Sequence, residues 1–292
     1  MMRNVFAEAW IVLAAAGLCG MPASAMHDAS SPAWSRERLY MDLSARQRAF
    51  IAAPRLAREQ AIADAEARVE LTAGSKCAVD GVINFRDLGG LRGEGGRPLR
   101  KGVLFRSGRF DQISPRGREM LVKRLGIKTD LDLRSEGETA GLCGVSPLGT
   151  NVQWRLVSLR AYDAIGTEAW RKRMKKALEV VFDSRNWPVA FHCKTGKDRT
   201  GTLAFIVLAL LGVAEDDICL DWEVTAFYVP ELSRMDHPGR YDRLLSYVNG
   251  LPGKDLREKA RHYVLSLGFS SEAIELFRQG MLQEEHLAGR GD

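Results

Sequence analysis

Residues 192–201 have the sequence His-Cys-Lys-Thr-Gly-Lys-Asp-Arg-Thr-Gly, and apolar segments flank them on both sides. The segment 187–191, Trp-Pro-Val-Ala-Phe, is typical of a short buried strand. The segment 202–212 is apolar almost all round and ends at a glycine, which is typical of a core helix. A tight loop between a strand and a helix directs backbone N–H groups inward at the helix N-terminus. The sequence therefore predicts an anion-binding loop.

Cys193 and Arg199 indicate the chemistry of this loop. A helix N-terminus and nearby cations stabilise a thiolate, which is the form in which cysteine acts as a nucleophile. The planar guanidinium of Arg199 can bind two oxygens of one phosphate. A thiolate beneath a cradle for a tetrahedral dianion suits phosphoryl transfer through a phosphocysteine intermediate. A buried structural cysteine is the alternative, and the polar and charged neighbours of Cys193 argue against it.

The composition is that of an ordinary globular protein, with 46% hydrophobic and 27% charged residues in a chain of 292. The formal net charge of +5 suits an anionic substrate, although a generic basic surface would give the same value. We predict no nucleic-acid partner and no cofactor. The five histidines are scattered, so we expect no metal site, and the glycines of 89–96 lack the Gly-Lys-Ser/Thr ending of a nucleotide loop.

Residues 1–25 have the three parts of a secretory signal peptide. Arg3 supplies a positive start, residues 9–20 are apolar, and the last three residues, Ala-Ser-Ala, form a small-residue cleavage site. The apolar run is short for a bilayer, so we expect no stable membrane span after the signal is removed. We therefore predict a periplasmic or secreted protein whose mature chain begins near Met26.

An exported chain can carry a disulfide bond. Cys77 and Cys143 both lie near polar turns, so they could pair, or both could be free and partly buried. The sequence favours neither interpretation. Cys193 must stay reduced to act as a nucleophile, and an oxidising compartment would make it vulnerable to inactivation.

The remaining chain is expected to form a helical arm at 26–79, a catalytic domain at 80–284 and a C-terminal tail at 285–292. Within the catalytic domain, short apolar runs alternate with helical patterns, which predicts a mostly parallel sheet flanked by helices, with the site at the carboxyl end of a strand. We expect a strand that breaks into a glycine turn at 82–90, and further strands at 103–107, 129–134, 152–157 and 187–191. We expect helices at 114–122, 169–182, 202–212, 215–228, 240–248 and 268–282.

Two segments of this domain receive a weaker assignment from the sequence. The glycine-rich residues 137–149 are expected to form a loop. Residues 229–253 contain three prolines and three glycines around a short helical pattern. They could form a helical lid over the site or a pair of packing helices, and we leave both possibilities open.

The loop resembles the Cys-x5-Arg signature of the protein tyrosine phosphatase superfamily. An upstream segment at 84–90, Asn-Phe-Arg-Asp-Leu-Gly-Gly, makes the resemblance more specific. Together, the loop and this upstream segment are similar to the bacterial lipid-phosphatase-like branch of atypical, dual-specificity tyrosine phosphatases. The resemblance spans roughly residues 81–282 and leaves out the N-terminal arm. It implies a tyrosine-phosphatase-like α/β fold and hydrolysis of phosphomonoesters.

In that branch, the resemblance implies a nucleophile at Cys193, a phosphate clamp at Arg199 and functional roles for Lys197 and Asp198. The branch lacks the usual mobile acid loop, and the aspartate of the phosphate loop is its suggested general acid. A carboxyl group beside a bound phosphate tends to keep its proton, which a general acid needs. Asp198 could instead only order the loop. The other candidate acids are Asp87, Asp132 and Asp163.

The other residues near the loop are expected to bind the substrate phosphate or to support the loop. The expected phosphate-binding residues are Lys194, Thr195, Gly196, Lys197, Thr200 and Gly201. The Thr200 hydroxyl could donate to the Cys193 sulfur or cap the helix. We expect His192 to be a hydrogen-bonded scaffold residue, and Arg86 and Asp87 to brace the loop from a neighbouring strand.

Lys194 and Lys197 bear on the substrate class. A phosphoinositide 3-phosphatase has lysine at both places, and an inositol-pyrophosphatase group has a similar loop. Because Arg199 and the loop amides already bind one phosphate, two further cations suit a second phosphate on the substrate. The lysines could also only stabilise the thiolate or attract any phosphopeptide. We expect phosphotyrosine substrates, with phosphoserine, phosphothreonine, phosphoinositides and inositol phosphates as further candidates.

Two rival functions remain open. The first is a catalytically silent phosphate-binding module, against which the intact cysteine, arginine and threonine of the loop argue. The second is sulfur transfer or arsenate reduction on a similar loop. The sequence has no resolving cysteine beside Cys193, which argues against the second.

Overall fold

A five-stranded sheet forms the centre of the computed structural model, which describes residues 79–228 and 240–283. The strands are β1 (Arg86–Asp87), β2 (Leu104–Ser107), β3 (Thr129–Asp132), β4 (Gln153–Leu156) and β5 (Val189–His192). Their spatial order is β1-β2-β5-β3-β4, with β1 antiparallel to β2 and all other pairs parallel. The expected α/β fold with a mostly parallel sheet is confirmed. The predicted signal peptide, the tail and all but the last residue of the helical arm lie outside the described residues.

Helices surround the sheet. They are α1 (Pro115–Glu119), α2 (Glu136–Thr139), α3 (Glu168–Phe182), α4 (Asp198–Leu210), α5 (Glu215–Tyr228), α6 (Arg240–Asn249), α7 (Leu256–Ser266) and α8 (Ser271–Met281). A π-helical turn at Met120–Arg124 extends α1. Within this part of the chain, no helix is both long and apolar enough to cross a bilayer.

The two faces of the sheet build two separate hydrophobic clusters. Phe105 and Ala190 pack on one face with Leu121, which follows α1. Their neighbours Leu104 and Val189 pack on the other face with side chains of α3, α4, α7 and α8. Successive residues of a strand point to opposite faces, so burial of both faces requires continuous apolar strands. This requirement explains the apolar run before the loop.

The central position of β5 places the loop. β5 lies between β2 and β3, and the residue pairs at its carboxyl end are Ser107 with His192 and Asp132 with His192. Three parallel strands therefore end side by side. Residues that follow these strands converge at one edge of the sheet, where ligands bind in open α/β folds.

The first strand is shorter than expected. The expectation covered residues 82–90, whereas β1 contains only Arg86 and Asp87. Asn84 adopts a left-handed backbone conformation with a φ of 59°, which interrupts an extended chain. The Asp87 carboxylate accepts the N–H of Gly89, which turns the chain directly after the strand.

Residues 137–149 are not loop throughout, and this corrects the sequence-based interpretation. The short helix α2 begins at Glu136 and ends at Thr139, and Ser135 caps it. The Ser135 side chain accepts the N–H of Glu138, and the Glu138 carboxylate accepts the N–H of Ser135, so the two residues form a capping box. The Ser-x-x-Glu spacing of this motif is visible in the sequence.

The C-terminal part contains one helix that we did not expect and one that we left ambiguous. The unexpected helix is α7, whose buried Ala260, Tyr263 and Val264 have helical spacing. The ambiguous one is α6, whose Leu244 and Val248 are fully buried in the core. The packing interpretation therefore applies to α6, whereas residues 229–239 lie outside the described residues.

Candidate active site

The loop at 193–197 joins the carboxyl end of β5 to the N-terminus of α4. Cys193 is only 2% exposed at the base of this loop. Gly196 has a φ of +76°, and a Cβ added there would lie 2.5 Å from the Ser107 carbonyl oxygen. Both facts require glycine at 196, because an L side chain would be strained and would overlap β2. The chain can therefore turn tightly enough to curl around one small ligand.

Three elements outside the loop hold its carbonyl groups. Asn84 Nδ2 donates to the Thr195 oxygen at 3.0 Å, and Arg106 Nη2 donates to the Gly196 oxygen at 2.8 Å. The backbone N–H of Arg109 donates to the Lys194 oxygen at 3.2 Å. In a trans peptide the N–H points opposite to the C=O. With these carbonyls directed outward, the next N–H groups point into the loop and can bind an anion.

A buried ion cluster fixes the residues that brace the loop. The Asp221 carboxylate of α5 binds Arg86 Nε at 2.7 Å and also binds Arg106 Nη1. Arg86 Nη1 in turn donates to the side-chain oxygen of Asn84. Burial opposes the charge of Asp221, but Arg106 and Arg86 outweigh burial and lower its pKa. Arg86 thus supports the loop through Asn84 and Asp221.

Asp87 braces a different part of the chain from the one we expected. Its carboxylate accepts the N–H of Gly89 at 2.8 Å and the N–H of Gly102 at 2.6 Å. These bonds fasten the turn between β1 and β2 at the end opposite the loop. Burial raises the pKa of Asp87 despite these bonds. We therefore remove Asp87 from the loop supports and from the candidate acids.

Arg199 lies in the first turn of α4 between Cys193 and a carboxylate that the sequence analysis missed. Its Nη1 and Nη2 donate to both oxygens of Glu138, at 2.6 and 2.9 Å. This hydrogen bonding lowers the pKa of Glu138 to about 2. Burial would lower the pKa of Arg199, but Glu138 and Cys193 together raise it. Glu138 therefore holds the guanidinium in a fixed plane beside the sulfur.

Asp198 occupies the first position of α4, beside Arg199. Its side chain is half-buried and accepts a hydrogen bond from the Tyr162 hydroxyl. Two other candidate acids, Asp132 and Asp163, are less suitably placed to donate a proton. Asp132 is fully buried and pairs with Arg134 at 2.7 Å, and although burial opposes it, His192 and Arg134 lower its pKa. Asp163 is exposed on the surface.

The comparison with known proteins identifies the family. A model described as the tyrosine phosphatase family matches residues 77–283, which include the loop and every contact described above. This chain belongs to that family.

Individual relatives differ in how much of the chain they match. A Cupriavidus necator protein named as a tyrosine-protein phosphatase is 32% identical over 170 residues, 50% of this chain and 61% of its own length. This match thus spans less than two thirds of that relative. The triple specificity protein phosphatase PtpB of Mycobacterium tuberculosis is 29% identical over 197 residues, 52% of this chain and 70% of its own. The crystal structure of Pseudomonas aeruginosa TpbA is 19% identical, with a TM-score of 0.39, and covers 64% of this chain and 92% of that one.

The two lysines of this family member occupy different environments. Lys194 is exposed on the loop, whereas Lys197 is buried and its Nζ lies 5.2 Å from the ring centroid of Trp222. An ammonium group over an indole ring is attracted by the negative face of the ring. Lys197 therefore contributes charge from beneath the loop, and Lys194 presents its charge to solvent.

Thr200 does not make either of the contacts that we considered. Helix α4 begins at Asp198 with Lys197 in the cap position, so Thr200 lies inside the helix and does not cap it. Among the residues that the structure describes, the buried Thr200 hydroxyl has no hydrogen-bond partner, so it does not donate to the Cys193 sulfur either. The hydroxyl lies within the first turn, close to where a loop-bound anion would be.

His192 is a buried scaffold residue, in line with the expectation. Its Nε2 lies 2.8 Å from Asp130 Oδ1 and 3.8 Å from Asp132 Oδ2, and its Nδ1 lies 3.3 Å from the Cys193 carbonyl oxygen. Burial would lower the pKa of His192, but Asp130 and then Asp132 outweigh burial and raise it to about 9. The aspartates of β3 therefore favour the positively charged form of His192, the residue that precedes Cys193.

The described part of the chain shows neither a disulfide bond at Cys143 nor a cluster of metal-binding side chains. Cys143 is exposed and free, and Cys77 lies outside the described residues. The proposed pair is therefore not formed through Cys143 in this structure, and Cys143 is not partly buried either. Across residues 79–228 and 240–283, no group of three or more His, Cys, Asp or Glu side chains is arranged to bind a metal.

We expect His192 to make folding stability depend on pH. Because its pKa rises from 6.5 to about 9 on folding, its stabilising effect is complete below about pH 6.5 and is lost as the pH rises through 9. The difference in unfolding free energy between the wild type and His192→Gln should shrink by roughly 3 kcal/mol from about pH 6 to about pH 10. Denaturant unfolding at several pH values measures it.

The control for this pH experiment is His262→Gln, which replaces an exposed histidine of α7. The difference in unfolding free energy between His262→Gln and the wild type should stay small across the same pH range. A difference for His192→Gln that is constant with pH would contradict a charged His192 between the two aspartates.

Proposed function

We propose that this protein is a phosphatase that hydrolyses phosphomonoesters through a phosphocysteine intermediate at Cys193. One observation carries the proposal. The buried Cys193 sulfur lies at the N-terminus of α4 with the Arg199 guanidinium beside it, under a loop whose amides point inward. These groups supply a nucleophile and a cradle for the oxygens of a phosphate. Membership of the tyrosine phosphatase family supports the same reaction.

The reaction has two steps. In the first, the Cys193 thiolate attacks phosphorus, a sulfur–phosphorus bond forms, and the bond from phosphorus to the leaving oxygen breaks. Asp198 donates its proton to that oxygen. In the second, water attacks phosphorus, the sulfur–phosphorus bond breaks, and the Asp198 carboxylate takes the proton of the water. Arg199 and the loop amides hold the equatorial oxygens in both steps.

Substitution of the nucleophile tests this reaction. Cys193→Ser should lower hydrolysis of 4-nitrophenyl phosphate by several orders of magnitude in buffer containing EDTA, while vanadate still binds by calorimetry. Rapid quenching of the wild type with labelled substrate should trap one phosphate per chain, and none in the variant. Cys143→Ser, which changes an exposed cysteine, is the matched control and should keep full activity.

Two results would contradict the proposal and point to the rival functions. A wild type that binds vanadate but hydrolyses nothing would be a phosphate-binding module. Turnover that survives in Cys193→Ser would place the nucleophile elsewhere.

For the substrate, we propose phosphotyrosine proteins together with phosphoinositides or inositol phosphates, and phosphoserine or phosphothreonine as weaker substrates. The names of both relatives described above support the protein substrates, and one of them includes triple specificity. The exposed Lys194 supports a second phosphate on the substrate. Because Lys197 is buried against Trp222, Lys194 is the lysine of the loop that we assign to that phosphate.

Lys194→Ala tests the substrate class. We expect kcat/KM on an inositol bisphosphate to fall roughly twofold to fivefold, the effect of one exposed charge pair, while a monophosphorylated tyrosine peptide changes little. Lys123→Ala removes a 74% exposed lysine from the turn after α1 and is the control. Equal losses on both substrates would make Lys194 a general electrostatic aid. Inactivity of the wild type on all inositol compounds would restrict the enzyme to phosphoproteins.

We also propose that the protein acts outside the cytoplasm, in the periplasm or secreted. The pattern of residues 1–25 supports this location, because a positive start, an apolar stretch and a small-residue site are the parts that export machinery recognises.

Fusion of residues 1–30 to a reporter that works only after export should give activity, and N-terminal sequencing of the mature chain should begin near Met26. Arg3→Glu in the fusion should reduce export, because it reverses the charge of the positive start. A chain that is found in the cytosol and begins at Met1 would contradict this location.

A further inference from the structure

Tyr162 has an unusual backbone for its residue type. Its φ is +64°, in the left-handed region that favours glycine, although its side chain is large and 94% buried, with 6% exposure. A non-glycine residue in this region is strained and persists only where the surroundings enforce it. Such strain often occurs at functional positions, so the contacts that enforce it are informative.

Two sets of hydrogen bonds connect Tyr162 to Asp198. Its hydroxyl donates to the Asp198 carboxylate. Its backbone N–H donates to Thr202 Oγ1 at 2.9 Å, and the Thr202 hydroxyl donates to the Asp198 carbonyl oxygen at 2.8 Å. The side chain and the backbone of Tyr162 are therefore both tied to Asp198, and the left-handed backbone lets both bonds form at once.

The C-terminal helices hold the segment that carries Tyr162. The Tyr263 hydroxyl of α7 donates to the Ile165 carbonyl oxygen at 3.0 Å. Gly166 packs flat against Tyr247 of α6, where an added Cβ would lie 2.4 Å from the ring. The segment that carries Tyr162 is thus also held by contacts that do not involve Asp198.

We infer that Tyr162 is a positioning residue for Asp198 in the reaction proposed above, on which this inference rests. A carboxyl group has two oxygens, and the phenol holds one of them. The other is then turned toward the leaving oxygen in the first step and toward water in the second. The carboxyl group thereby acts from a fixed place, and a mobile acid loop is not required.

Tyr162→Phe removes the hydroxyl and keeps the ring. General acid catalysis contributes typically 10²–10⁴-fold, and loss of orientation should remove part of it, roughly tenfold in kcat on phenyl phosphate. The activated 4-nitrophenyl phosphate needs little proton donation, so its kcat should fall less than about twofold. KM should stay the same for both substrates, because Tyr162 does not hold the phosphate.

A matched control and a double variant complete the test. Tyr247→Phe removes a hydroxyl from the supporting helix while its ring still packs on Gly166, and it should leave the ratio of the two rates unchanged. Asp198→Asn should already lose the proton donation that phenyl phosphate needs, so adding Tyr162→Phe should change kcat by less than about twofold more. Thermal unfolding of each variant shows whether it is folded at the assay temperature.

If Tyr162→Phe is unfolded, the experiment uses Thr202→Val instead. This nearly isosteric change removes the hydroxyl that links the Tyr162 backbone N–H to the Asp198 carbonyl. Thr202→Val should then show the same selective loss on phenyl phosphate. Equal losses on both substrates, or independent effects of Tyr162→Phe and Asp198→Asn, would overturn the positioning role and leave Tyr162 a structural residue. A wild type without activity on either substrate would instead refute the proposed function itself, which is a separate result.

Discussion

The site depends on the ion pairs that the buried Asp221 carboxylate forms. This carboxylate pairs with both Arg86 and Arg106, two fully buried guanidinium groups on neighbouring strands. Removing one partner of a buried ion pair usually costs roughly 3–5 kcal/mol, because the remaining charge stays uncompensated. Arg106 also holds the Gly196 carbonyl, and Arg86 holds Asn84, so the shape of the phosphate loop follows from this cluster.

Two charged groups of the site, Arg199 and His192, are already paired with carboxylates. Glu138 holds both terminal nitrogens of Arg199, and Asp130 and Asp132 of β3 hold His192. Groups that are already oriented lose little entropy when a phosphate binds and need little reorganisation during the reaction. In the proposed reaction a bound phosphate would share Arg199 with Glu138, whose carboxylate keeps the guanidinium plane in position.

The parts that the sequence predicted are local along the chain. The strand, loop and helix around Cys193 follow one another directly, so their periodicity and glycine positions were sufficient. Glu138 and Tyr162 were missed because they reach the loop from 61 and 36 residues away, through a fold that periodicity does not specify. A capping box marked the helix of Glu138, but nothing in the sequence indicated that this helix faces Arg199. The φ of Tyr162 is visible only in the structure.

The anchoring of residues 162–166 on α6 and α7 has a consequence for the smallest working unit of this protein. Strand β5, the loop and α4 end at Leu210, and a shortened chain could keep all of them. Such a chain would lose Tyr247 and Tyr263, which hold the segment before α3 in place. The unit that supports the proposed reaction therefore extends in sequence at least to the end of α7, about 70 residues beyond Cys193. Truncation design has to keep the C-terminal helices together with the loop.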